Sequence, residues 1–118
     1  MIEAARDRGI ELEGCCCSSA TEAIERLEAG ERPRLILFDL RLPGMSGIDF
    51  LKILKSKPDW REIPAIAYSA GVSSNDARLV YGLGANCVVN KPKDFEELKD
   101  LVRLLEEFWL KWVVYHEP

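Results

Sequence analysis

One histidine, His116, is all the imidazole this sequence has, and no second histidine accompanies it as a ligand or proton carrier. We therefore read it as solvated rather than as a ligand or a base. The four cysteines offer no metal spacing either: Cys15, Cys16 and Cys17 are consecutive, Cys87 is alone, and no C-x-x-C pair occurs. Neighbouring strand residues point to opposite faces, so a run of three cannot converge on one ion. The cysteines read instead as small apolar residues of a buried strand. No apolar stretch approaches the roughly 20 residues a membrane helix needs. Positive charge is also short, with 16 Lys and Arg against 20 Asp and Glu for a net charge of −4. That excludes a phosphate-backbone binder, so nucleic acid is not an expected partner. The first residues, Met-Ile-Glu-Ala-Ala-Arg, are charged from the third position and lack the apolar core of a signal peptide. The expected compartment is the cytoplasm.

What is present alternates between two periodicities. With 118 residues there is room for one core and none for a second. Ile2 to Arg8 reads as the end of a helix stopped by Gly9, and Glu11 to Cys17 as a strand. Ser19 with Glu22 makes a capping box for a helix that Gly30 closes. Leu35-Ile36-Leu37-Phe38 is a continuous apolar run ending in Asp39, which suits a strand covered on both faces. Pro43, Gly44 and Gly47 mark a loop, and a helix from Gly47 to Lys55 ends before Pro58. Trp60, in the connection that follows, is expected to cover the sheet edge. Ile63 to Tyr68 is the next strand, Gly71 to Ser74 a polar loop and Asn75 to Leu83 a short helix. Cys87-Val88-Val89 then leads into Asn90-Lys91-Pro92. Asp94 with Glu97 makes a second capping box, and the last helix carries Phe95, Leu98, Leu101, Val102, Leu105 and Trp109 as one apolar stripe. Strands separated by helix-length segments imply right-handed crossovers, hence a doubly wound α/β fold around a parallel sheet.

Ligands of such sheets sit beyond the carboxyl ends of the strands. Three strands here end in reactive groups, Asp39, Ser69 and Lys91, which puts a carboxylate, a hydroxyl and an ammonium on one edge. A carboxylate can act as nucleophile toward phosphorus, and the acyl phosphate formed needs fixed donors for its oxygens. Lys91 and Ser69 supply them, and a Mg²⁺ ion would normally bridge the two anionic groups. No phosphate-cradling glycine loop such as G-x-G-x-x-G is present, which speaks against a small flavodoxin-like enzyme.

Asp39-Leu40-Arg41-Leu42-Pro43-Gly44-Met45-Ser46-Gly47, Tyr68-Ser69-Ala70, Gly84-Ala85 and Lys91-Pro92 occur in the order and spacing of a family. On these motifs the chain resembles the receiver domains of two-component response regulators, with the flavodoxin-like, CheY-like three-layer fold. Its Phe108-Trp109-Leu110 ending is similar to the stand-alone receivers that partner cyanobacterial phytochromes. The resemblance implies that Asp39 is the phosphoacceptor and that Ser69 and Lys91 contact the phosphoryl group. It also implies that Asp39 and the Arg41 backbone carbonyl are Mg²⁺ ligands, and that the bond before Pro92 is cis. A sensor histidine kinase and a downstream protein are the implied partners. No enzymatic activity is implied beyond self-catalysed phosphoryl transfer and autodephosphorylation.

Two features depart from the family. Its first strand ends in an acidic pair that holds the metal, and by spacing that pair falls before Met1. The pair is absent from this chain, and Glu11 and Glu13 do not replace it. The innermost strand is missing with it, so the expectation is either that the gene begins upstream or that another segment, a swapped strand or the Trp112–Tyr115 tail, fills the gap. Without the pair, a pseudo-receiver that binds partners without being phosphorylated is the alternative function. Val88 stands where many receivers carry a switching aromatic ring, so a signal is expected to travel through the loop from Ser69 to Asn75 and its helix, with Tyr81 and Leu83 on the responsive face. Residues 1–110 are expected to form the receiver and 111–118 a tail. Trp112 to Tyr115 extend past what the core requires, and a homodimer contact is expected there and on the last helix.

Overall fold

The computed structural model describes residues 10–12, 15–17, 19–42 and 44–115. The expected helix end at Ile2–Arg8, Glu13, and His116 lie outside them. In chain order the elements are β1 (Ile10–Leu12), β2 (Cys15–Cys17), α1 (Ala20–Glu28), β3 (Ile36–Asp39), α2 (Gly47–Ser56), β4 (Ala65–Ser69), α3 (Ser74–Gly82), β5 (Cys87–Asn90) and α4 (Phe95–Glu107). A π-helical turn over Phe108–Trp112 continues α4.

The strands form one sheet in the order β2-β1-β3-β4-β5. β3, β4 and β5 are parallel, with Asp39 opposite Tyr68 and Ser69 opposite Asn90. All residues of β3 and β4 are buried, as a strand covered on both faces requires. Ile36, Phe38, Ala65 and Ala67 share one core with Ala20, Ala23 and Leu27 of α1, Phe50, Leu51 and Leu54 of α2, and Val80 of α3. Leu35, Leu37, Ile66 and Tyr68 share another with Leu98 and Val102 of α4. The side-chain period of two thus divides the cores between the faces, three helices against one. Trp60 is buried in the larger core. Lys55 of α2 donates to the carbonyls of Arg61 (2.8 Å) and Ile63 (3.0 Å), and burial pushes its ammonium below the usual lysine range.

The N-terminal part differs from expectation. Glu11–Cys17 is not one strand but two, paired antiparallel with Ile10 opposite Cys17 and Leu12 opposite Cys15. β1 also pairs antiparallel with β3, Ile10 opposite Phe38 and Leu12 opposite Ile36. The gap beside β3 is therefore filled from within the segment assigned to the neighbouring strand, rather than by the C-terminal tail. The reason is the one that predicted a filler: the β3 backbone donors and acceptors need partners. The sheet is mixed, with a parallel half carrying the strand ends of interest.

Local caps behave as the sequence predicts at Ser19, whose hydroxyl accepts the Glu22 N–H. Asp94 accepts from Glu96 N–H rather than from Glu97, so it is a simple N-cap and not a box. No peptide bond among the described residues is cis, so the bond before Pro92 departs from the expected geometry.

Candidate functional site

Asp39 ends β3 with 4% of its surface exposed. A buried carboxylate needs donors, and two groups serve it. The Arg41 N–H donates to Oδ1 at 2.8 Å, and the Lys91 ammonium lies 3.9 Å from Oδ2. Lys91 follows β5, two strands away, and comes within reach because the parallel register brings the strand ends to one edge. Its Nζ also sits 5.2 Å from the centre of the Tyr68 ring, whose face attracts a cation. Ser69, at the end of β4 between them, is 3% exposed.

Backbone contacts lock this edge. The Leu40 N–H donates to the Tyr68 carbonyl (3.1 Å), the Gly47 N–H to the Leu40 carbonyl (3.1 Å) and the Lys91 N–H to the Ser69 carbonyl (2.9 Å). Gly47 is required by close approach: a Cβ there would collide with the Asp39 carbonyl oxygen and lie 2.6 Å from Leu40 Cα. The loop from Asp39 to Gly47 folds back because the first turn of α2 rests directly on the strand end. Gly47→Ala is accordingly expected to lower stability by about 1–3 kcal/mol. A urea titration should show this as a lower midpoint with an unchanged slope.

A cavity of about 180 Å³ at this edge is lined by Leu40, Arg41, Ile48, Ser69, Val72 and Asp76, and not by Asp39 or Lys91 themselves. The structure thus brings Asp39 and Lys91 together and sets Ser69 on the wall of the adjoining space. Val88 packs against the larger core. Tyr81 is half exposed, and its hydroxyl accepts the Val88 N–H at 3.1 Å. Sequence reasoning missed Val72, Asp76 and Asn90. Asp76 reads there as an ordinary acidic residue of a first helical turn. Asn90, whose Oδ1 accepts the Val72 N–H at 2.9 Å, gave one available signal, a side-chain amide at a strand end.

The donors for a divalent metal are few. Among the described residues no three His, Cys, Asp or Glu side chains cluster as a ligand set. The Asp39 carboxylate and the Arg41 carbonyl offer two kinds of oxygen, and one carboxylate oxygen is already engaged by the Arg41 N–H. Hard divalent cations take six or more oxygens, so these residues alone do not make a fitting site. Among the described residues no helix is long and apolar enough to cross a membrane.

Comparison with known proteins places this geometry in context. Residues 3–103 match the family model of the response regulator receiver domain. The probable methanogenesis regulatory protein FilR2 of Methanothrix harundinacea is 35% identical over 96 residues, 80% of this chain and 62% of that protein. The response regulator Rcp1 of Synechocystis is 35% identical over 86 residues, 73% of this chain and 58% of its own. The chain thus spans about three-fifths of the length of these two relatives. Among solved structures, the phosphorylated cyanobacterial phytochrome response regulator RcpA superposes with a TM-score of 0.78 at 32% identity, covering 83% of this chain and 74% of that one. The Mn²⁺-bound form of Rcp1 gives 0.75 at 30%, covering 84% and 76%. Receiver domains of this kind are phosphoacceptors that bind divalent metal and work with histidine kinases and downstream partners. By its sequence motifs, its fold and these matches, the chain belongs to the response regulator receiver family.

Proposed function

We propose that this chain is a stand-alone response regulator that accepts a phosphoryl group from a histidine kinase on Asp39 and passes the state on by protein contact. The observation that carries this is the buried Asp39 carboxylate, held 3.9 Å from the Lys91 ammonium at the strand edge where Ser69 lines a cavity. An Asp39 oxygen attacks phosphorus and forms the acyl phosphate bond. The phosphorus–nitrogen bond of the kinase phosphohistidine breaks, and its electron pair stays on the imidazole. The Lys91 ammonium offsets the charge brought onto the carboxylate, and the Ser69 hydroxyl donates to a phosphoryl oxygen. Later attack by water on the same phosphorus would restore the carboxylate. Residues 1–110 serve as the receiver in this scheme, in the cytoplasm. Incubating the full chain with Mg²⁺ and acetyl phosphate tests it: intact mass should rise by one phosphoryl group, and an unchanged mass would count against the function.

The sparse metal donors among the described residues favour a second function, a pseudo-receiver that binds partners with no phosphoryl step. Titrating Mg²⁺ while following tryptophan fluorescence separates the two. A saturating response supports a working site, and a flat one supports the pseudo-receiver.

We assign the expected homodimer contact to the last helix and its tail. Leu104, Phe108 and Trp112 recur at four-residue steps and are 64%, 56% and 66% exposed, while Trp109 and Leu110 pack inward. An exposed apolar stripe of this size supports an interface. Trp112→Glu is expected to shift the sedimentation coefficient from dimer to monomer at micromolar concentration; a monomeric wild type would remove the assignment.

A further inference from the structure

The loop that leaves Ser69 is fastened to β5 by a side chain that the phosphoryl-transfer scheme does not use. Ser69 and Asn90 are partners across β4 and β5. The chain turns through Gly71, at φ +65°, a left-handed conformation that glycine adopts readily. Val72 then donates its N–H to Asn90 Oδ1 at 2.9 Å. The Lys91 N–H to Ser69 carbonyl bond, at 2.9 Å, lies immediately beside this contact. Ser69 and Val72 both line the cavity next to Asp39. The Asn90 carboxamide thus acts on the site at one remove, by fixing the far end of the four-residue segment Ser69–Val72 whose near end carries the hydroxyl.

We propose that Asn90 is a positioning residue of the phosphoryl site, holding the Ser69–Val72 loop so that the Ser69 hydroxyl faces a phosphoryl group on Asp39. The proposal rests on Asp39 being the phosphoacceptor. Its physical content is local order. A serine at the mouth of a loop donates to one point in space only when the loop has one conformation, and the clasp removes the others. Val88 supplies no ring to buttress the loop from β5. Two hydrogen bonds tie β5 to the loop and its helix, the Asn90 clasp at the start and the bond from the Val88 N–H to the Tyr81 hydroxyl further on, while the Val88 side chain packs against the larger core. Asn90 is exposed, so exchanging it leaves both cores intact.

The test compares wild type, Asn90→Ala and Asn90→Asp as full chains. It measures the initial rate of phosphorylation by acetyl phosphate with Mg²⁺ and the hydrogen-exchange protection of the Val72 amide. Loss of one neutral hydrogen bond corresponds to roughly a 3- to 10-fold change. Asn90→Ala should slow phosphorylation by about that factor and speed Val72 exchange by a similar one. Asn90→Asp keeps an acceptor oxygen and should restore the Val72 protection and most of the rate. Equal rates in wild type and Asn90→Ala would overturn the positioning role. So would a slowed variant whose Val72 protection is unchanged, because the effect would then not pass through the clasp. A wild type that takes up no phosphoryl group while its Val72 amide depends on Asn90 would instead sink the phosphoacceptor function.

Discussion

Asp39→Asn should take up no phosphoryl group under conditions that fully modify the wild-type chain. Asparagine has nearly the same shape and keeps an Oδ1 that accepts the Arg41 N–H, the 2.8 Å contact that orients the native side chain. The fold around the strand end should therefore persist, and the loss should be chemical. What disappears is the anionic oxygen that attacks phosphorus, because a neutral amide oxygen is a poor nucleophile and forms no stable acyl phosphate. Intact-mass measurement of both proteins, with circular dichroism to show matching folds, reads the result. Equal incorporation in the two would move the acceptor to another residue.

Lys91→Ala is expected to slow phosphoryl uptake by about 10²–10³-fold, the usual effect of removing one preorganised charge-stabilising donor. The Lys91 side chain is 18% exposed and lies between the Asp39 carboxylate and the Tyr68 ring, so its position is set by both. A second anion approaching a buried carboxylate meets repulsion that this ammonium offsets. Lys91→Arg should recover only part of the rate. The guanidinium is a planar fork, and it does not present a point charge at the ammonium position. Initial rates with acetyl phosphate check both variants. A Lys91→Ala rate within about threefold of wild type, far below the expected effect, would show that Lys91 takes no part.

Much of this was legible in the sequence for physical reasons that can be named. The apolar run before Asp39 suits a strand covered on both faces better than a half-exposed one, and all four residues of β3 are buried. The stripe of α4 reads directly as a face, with Leu98 and Val102 buried in the smaller core. Asp39, Ser69 and Lys91 were each visible as a polar residue closing an apolar run, and parallel pairing turns that pattern into proximity. The antiparallel pairing of Ile10–Leu12 with Cys15–Cys17 was not legible, because a short segment read as one extended strand does not say whether it pairs with itself. That outcome depends on the open edge of β3, a tertiary demand that overrides local pattern. The clasp from Asn90 to Val72 was hidden for a similar reason: it joins residues 18 apart through a turn whose direction is set at Gly71.

The central claim, that Asp39 carries the phosphoryl group, is tested most directly by locating it. Borohydride reduces an acyl phosphate to an alcohol, so treating the phosphorylated full chain should convert the modified aspartate to homoserine. Peptide fragmentation then identifies the position. Homoserine at position 39, and at no other carboxylate, is the predicted result. Homoserine elsewhere, or none in a chain exposed to excess phosphodonor and Mg²⁺, would contradict it.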